Sequence, residues 1–175
     1  MVSVHKDRKY IIYKYNPAWI DFFNFEAKIL RNLFGDEVVQ IEHVGSTSVP
    51  GMTSKSSIDI DLIVKNISTI HEYENKLAVL GYEPLGEFIA KDAYFFAKEK
   101  DNMRIVNLQV MEKNHPECIK ILAVRDYLRT HPKEVQEYSK LKETLFTKYP
   151  DDYGSYRKEK DLYMKELEKR ALTSL

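Results

Sequence analysis

The segment Ile58-Asp59-Ile60-Asp61-Leu62-Ile63-Val64 constrains this chain more than any other. It is short, rich in β-branched residues and nearly free of polar groups, so it reads as a strand of a sheet interior. Asp59 and Asp61 stand two apart, and side chains at that spacing leave the same face of a strand. A solvated edge strand could carry such a pair. The neighbours Ile58, Ile60, Leu62, Ile63 and Val64 suggest burial instead, and there two bare carboxylates are costly. They repel one another unless a cation lies between them. Hard oxygen ligands of this kind favour Mg²⁺ or Mn²⁺ bridging substrate phosphates.

The loop Gly45 to Ser57 leads into that strand. A glycine lets a backbone come close to a ligand, and exposed amides beside a serine hydroxyl can take phosphate oxygens. A Gly-Ser turn alone is common. Joined to Lys55 and to the paired aspartates it marks a site, with Gly45, Ser46 and Lys55 on phosphate and Asp59 and Asp61 on metal.

The rest of the chain supplies a frame. Lys9 to Tyr15 is expected to be a short strand, then Asn16-Pro17 caps a helix carrying Ile20, Phe23, Ala27, Leu30 and Phe34 and closed by Gly35. Val38 to Val44 is a strand candidate. Ser68 is expected to cap a helix with Ile70, Leu77 and Leu80, ending at Gly81. Tyr94 to Ala97 and Arg104 to Met111 form an expected hairpin turning at Asp101-Asn102. After Pro116 the chain is helical, broken at His131-Pro132 and at Pro150 to Gly154 into three helices. This order predicts one α+β domain over residues 1–175: a mixed sheet with helices packed on it, and a mainly helical part from about 115 to 175.

Composition narrows the partners. The 27 basic and 27 acidic residues cancel, which gives no bulk attraction to nucleic acid or to an anionic membrane. No dense basic run or stacking motif supports nucleic-acid binding. The N-terminal MVSVHKDRKYIIYKY has no apolar run of membrane or signal-peptide length, and Cys118 is the single cysteine, so a cytoplasmic protein is expected. The five histidines lack metal-ligand spacing, and His115 and His131, each before a proline, read as helix-start residues. Ser46 has no Ser-x-x-Lys or histidine partner close in sequence to make it a nucleophile.

Ile41-Glu42-His43-Val44-Gly45-Ser46-Thr47-Ser48-Val49-Pro50-Gly51, with Lys55 and Ile58-Asp59-Ile60, resembles the GrpB family. So does Val124-Arg125-Asp126-Tyr127-Leu128-Arg129-Thr130-His131-Pro132, with Tyr138 and Lys142 following. The likeness runs from Tyr15-Asn16-Pro17-Ala18-Trp19 to the terminal helices. Gly-Ser, a spacer and Asp-x-Asp on a hydrophobic strand are likewise the hallmark of the nucleotidyltransferase superfamily. The resemblance implies a nucleotidyltransferase-like fold. Family members fused to dephospho-coenzyme A kinase point to nucleotide or coenzyme chemistry without fixing a reaction. It also makes Arg125, Lys142 and Lys160 candidates to close over ligand phosphates, where residue pattern alone reads them as solvated helix faces.

One position departs from the superfamily. A third carboxylate from a neighbouring strand usually completes a two-metal site, and the matching strand here is Arg104 to Met111. It carries Asn107 and Gln109, where GrpB relatives tend to have histidines. Amide oxygens can ligate Mg²⁺ but add no charge and cannot serve as a base. Glu112 lies beyond, on the opposite face. Two functions therefore stay open: metal-dependent binding of a nucleotide or other phosphate-bearing small molecule with transfer of a nucleotidyl group, or a non-catalytic binding or regulatory module of the same fold.

Overall fold

A computed structural model describes residues 9–175, so His5 and the first eight positions of the N-terminal segment lie outside the described residues. The elements run β1 (Ile12–Tyr13), α1 (Ala18–Phe34), β2 (Val38–Val44), β3 (Ser54–Lys55), β4 (Ile58–Val64), α2 (Glu74–Val79), β5 (Tyr82–Ala90), β6 (Ala93–Lys100), β7 (Met103–Glu112), α3 (Pro116–Thr130), α4 (Pro132–Lys148) and α5 (Tyr153–Thr173). Short 3₁₀ turns at Gly35–Glu37, Ser46–Ser48 and Ile67–Glu72 link them.

Five strands form one mixed sheet in the order β2-β4-β7-β6-β5, and β1 pairs with β3 in a separate ribbon. The β4–β7 pair is parallel and the other pairs are antiparallel. The turn between β6 and β7 puts Asp101 at φ 53° and Asn102 at φ 60°, the two positive values a type I′ hairpin needs.

Alternation along β4 and β7 divides the sheet into two faces. Ile58, Ile60, Leu62 and Val64, with Val106, Leu108 and Val110, pack under α1 and α2 against Trp19, Leu30, Phe34, Ile70 and Leu77. Each large side chain buried there is worth roughly 1.5–3 kcal/mol. Glu26 is buried in the same layer, where it accepts from Tyr82 Oη at 2.7 Å and pairs with Lys98 at 2.8 Å. The opposite face carries Asp59 and Asp61 with Asn107 and Gln109. Helices α3 to α5 lie over it and share a second core with Val49 and Met52 of the Gly45–Ser57 loop.

Three expectations change in detail. The strand expected over Lys9 to Tyr15 shrinks to Ile12–Tyr13, which pairs with Ser54 and Lys55. The helix expected from Ser68 is a 3₁₀ turn followed by α2, and its cap is Asn66, whose side chain accepts from the Ser68 amide at 3.0 Å. Strand β5 was not expected. It is the sheet edge, with register shifts around Gly86 that break the alternating pattern. Asn16 does accept from the Ala18 amide at 3.0 Å, and His115 caps α3 by accepting from the Glu117 amide at 3.2 Å.

Candidate functional site

Register on the sheet builds the site. Asp59 lies opposite Val44 on one side and Asn107 on the other, and Asp61 lies between Glu42 and Gln109. Residues paired this way share a face, so β2, β4 and β7 present two polar rows to the helical layer. Asn107 Nδ2 donates to Asp59 Oδ1 at 2.6 Å, while Asn107 Oδ1 accepts from Arg104 Nη1 at 3.2 Å. The amide thus turns its nitrogen, not its oxygen, toward Asp59.

Asp61 is fully buried, and neither carboxylate oxygen has a hydrogen-bond partner; Gln109 Oε1 is in the same condition. Burial pushes the Asp61 carboxyl up to about 8, and the neighbouring Asp59 charge adds to it, with Arg125 pulling the other way. Glu42 raises it further. Arg125 lies close by because it is held by Glu42 and by the His43 carbonyl, and it also forks onto Asp126. Its guanidinium is therefore occupied by protein carboxylates.

The loop above closes tightly on β4. Gly45 has φ 68° and ψ −171°, a conformation that side-chain-bearing residues avoid. A Cβ there would stand 2.2 Å from Asp59 Oδ2. Glycine is required for the close approach of loop and carboxylate. Ser48 Oγ donates back to the Gly45 carbonyl at 2.7 Å, and Arg129 Nε and Nη2 donate to the Ser48 carbonyl at 3.1 and 2.9 Å.

Helices α4 and α5 bring the distant cations. The buried stripe of α4 is Val135, Tyr138, Ser139, Lys142 and Leu145, spaced for one helix face. Lys142 therefore points inward. Its Nζ donates to Ser46 Oγ at 3.0 Å and lies 4.4 Å from the Tyr138 ring centroid. Burial holds the Lys142 ammonium well below the usual lysine range, and Lys160 and Lys55 lower it further. Lys55 Nζ donates to Tyr153 Oη at 2.6 Å, and Lys160 pairs with Asp161 at 3.1 Å.

These groups line one cavity of about 350 Å³ between sheet and helices. Gly45, Ser46, Lys55, Asp59, Asn107, Gln109, Arg125, Lys142 and Lys160 all border it. Asp61, two residues on and fully buried, does not itself border the cavity. Sequence reasoning missed Arg104, Lys120 and Arg157, which also line the cavity. Plain alternation places Arg104 with Val106 and Leu108; it reaches Asn107 because the β6–β7 register shifts between Lys98 and Glu99, which no sequence pattern marked. Glu42, facing Asp61 across the strand pair, was legible only once the register was known. Glu112 accepts from the Ile67 amide at 2.9 Å and stays away from the site. His43 stacks on Phe23 at 4.7 Å and bonds Thr47 Oγ1 at 3.0 Å on the other face. Burial lowers its pKa to about 4, with Arg129 and Arg125 adding to the shift.

Among the described residues no three His, Cys, Asp or Glu side chains converge as a metal cage. The fit to a divalent cation is that of an open site, with two carboxylates and a buried amide oxygen from the protein and the remaining ligands left to phosphate and water. Mg²⁺ takes this arrangement readily, because it keeps waters and is bound by one or two carboxylates plus substrate phosphates. No helix among the described residues is long and apolar enough to cross a membrane.

Known proteins share this architecture. UPF0157 protein YqkA of Bacillus subtilis is 35% identical over 169 residues, covering 96% of this chain and 49% of its own length, so the chain spans about half of that relative. Glutamate-rich protein GrpB of Alkalihalophilus pseudofirmus is 30% identical over 171 residues, covering 95% of this chain and 98% of that protein. The crystal structure of conserved protein GrpB from Enterococcus faecalis superposes with a TM-score of 0.89 at 32% identity, over 94% of this chain and 98% of that one. The family described as GrpB protein matches residues 9–170. The Gly-Ser loop is set over the Asp-x-Asp strand, as the likeness in sequence led one to expect, and the chain belongs to the GrpB family.

Proposed function

We propose that the cavity binds a nucleotide or related phosphate-bearing small molecule together with a divalent cation, Mg²⁺ or Mn²⁺. One observation carries this reading: Asp61 is buried beside Asp59 with both oxygens unpartnered. A fold that keeps so costly a group without hydrogen bonds gains by giving it a cation. Asp59 and Asp61 would hold the metal, with Gln109 Oε1 as a neutral oxygen beside them. A bound cation would neutralise the crowded carboxylates and draw phosphate oxygens to them.

Gly45, Ser46, Lys55, Lys142 and Lys160 make up the phosphate side. Arg125 acts mainly through Glu42, steadying the acidic row from behind. A ligand set of this kind suits transfer of a nucleotidyl group to an acceptor. The non-catalytic alternative is favoured by Asn107, which offers Asp59 an N–H₂ group where a transferase would offer a third carboxylate. Thermal shift with a panel of nucleotides and coenzyme A precursors, with and without Mg²⁺, tests binding, because a ligand selective for the folded state raises its stability. Pyrophosphate release from the same panel separates transfer from binding alone.

A further inference from the structure

We propose that Ser46 and Lys142 form a nucleophile–base pair, in which Ser46 Oγ takes a phosphorus group from a phosphoanhydride and Lys142 Nζ accepts its proton. The proposal rests on the preceding reading only for the identity of the electrophile.

The two residues are 96 positions apart and meet at 3.0 Å on the wall of the cavity. Lys142 is 3% exposed; its Nζ contacts Ser46 Oγ and the face of the Tyr138 ring. Among the described residues no carboxylate forms an ion pair with the amine. The charged groups that face it are Lys160, Lys55, Asp59 and Glu143, and the first two repel a proton on it. Burial, the largest influence, acts in the same direction and holds the amine well below the ordinary lysine range, which favours its free form. In that form the contact turns round: Ser46 donates its proton toward the Nζ lone pair, which is how a weak hydroxyl nucleophile is activated. The position also meets a need. Asn107 cannot act as a base, and Lys142 supplies one on the other side of the cavity.

In the step, the Ser46 Oγ–phosphorus bond forms as the bridging phosphorus–oxygen bond of the anhydride breaks. The leaving phosphate or pyrophosphate carries away the bonding pair, and the serine proton ends on Lys142. No oxidant or further reactant is required.

The test uses a fluorophosphonate probe on the full chain, read by intact mass and peptide mapping, without nucleotide. Wild type is expected to carry the probe on Ser46, and Ser46→Ala to carry none. Lys142→Met should react about a hundredfold more slowly, the scale of a lost general base. Lys142→Arg should not restore the rate, because a guanidinium stays protonated. Labelling on another residue, or equal rates in wild type and Lys142→Met, overturns the pair. Should Lys142→Met fail to fold, the wild-type rate against pH decides. A plateau reached below the ordinary lysine range supports the pair, and a rate that climbs with hydroxide without a plateau overturns it. Capture at Ser46 without Mg²⁺-dependent nucleotide binding would keep the pair and remove the proposed ligand. Nucleotide binding without capture would do the reverse.

Discussion

Asn107 donates its amide N–H to Asp59 at 2.6 Å across the parallel β4–β7 pair, so a neutral donor stands beside Asp59 on the acidic face. Arg104 fixes that orientation by donating to the other end of the same amide. An acid at this distance from Asp59 would repel it, whereas the amide donor stabilises its charge.

Asn107→Asp should therefore trade stability for metal affinity. Without metal the variant loses a hydrogen bond and gains like-charge repulsion, a cost of about 1–3 kcal/mol. With Mg²⁺ it should bind more tightly than wild type, because an anionic oxygen replaces an amide. Urea denaturation and metal titration of both proteins check the two halves.

Asp61 predicts a dependence of stability on pH. Burial, then Asp59, raises its carboxyl from 3.8 to about 8, so between those values the folded state holds a proton that the unfolded chain has lost. The folded state binds more protons there, and stability falls as pH rises across the window. The slope from one such group is at most about 1.4 kcal/mol per pH unit. Asp61→Asn should flatten it and should be more stable than wild type at alkaline pH without metal. Urea midpoints of both proteins at about pH 5 and about pH 9 measure the difference, set against the ordinary range of carboxyl values.

Gly45→Ala should cost at least about 2 kcal/mol, combining a strained backbone with a Cβ pressed against Asp59. In an Asp59→Ala background the penalty should shrink but persist, because the φ of 68° remains. A double-mutant cycle by chemical denaturation separates the two contributions.

Lys55→Ala should weaken binding of a nucleoside triphosphate more than of the monophosphate. A lysine that meets terminal phosphates loses its partner when they are absent. An equal loss for both ligands in calorimetry would return Lys55 to a structural role through Tyr153, to which it donates at 2.6 Å.

Much of the acidic face was legible in the sequence, because strand alternation is local. Asp59 and Asp61 on one face, and Asn107 and Gln109 on the strand beside them, follow from period-two patterning in β-branched segments. Strand β5 was not legible, since Pro84, Gly86 and its register shifts destroy that period. The contact of Lys142 with Ser46 was illegible for another reason. It spans 96 residues and depends on how α4 packs on the loop, although a lysine on the helical stripe of Val135, Tyr138 and Leu145 was a usable sign. Arg125 was read as a ligand contact from family likeness. Its engagement by Glu42 and Asp126 depends on side-chain geometry that no pattern encodes.

The central claim is that Asp59 and Asp61 hold a cation that recruits a phosphate ligand. Isothermal calorimetry of nucleoside triphosphate binding, with and without Mg²⁺, tests it on wild type, Asp59→Asn and Asp61→Asn, each first verified as folded by circular dichroism. The account predicts Mg²⁺-dependent binding by wild type, with proton release as Asp61 ionises, and loss of that dependence in both variants. Equal Mg²⁺-dependent binding by all three proteins would contradict it.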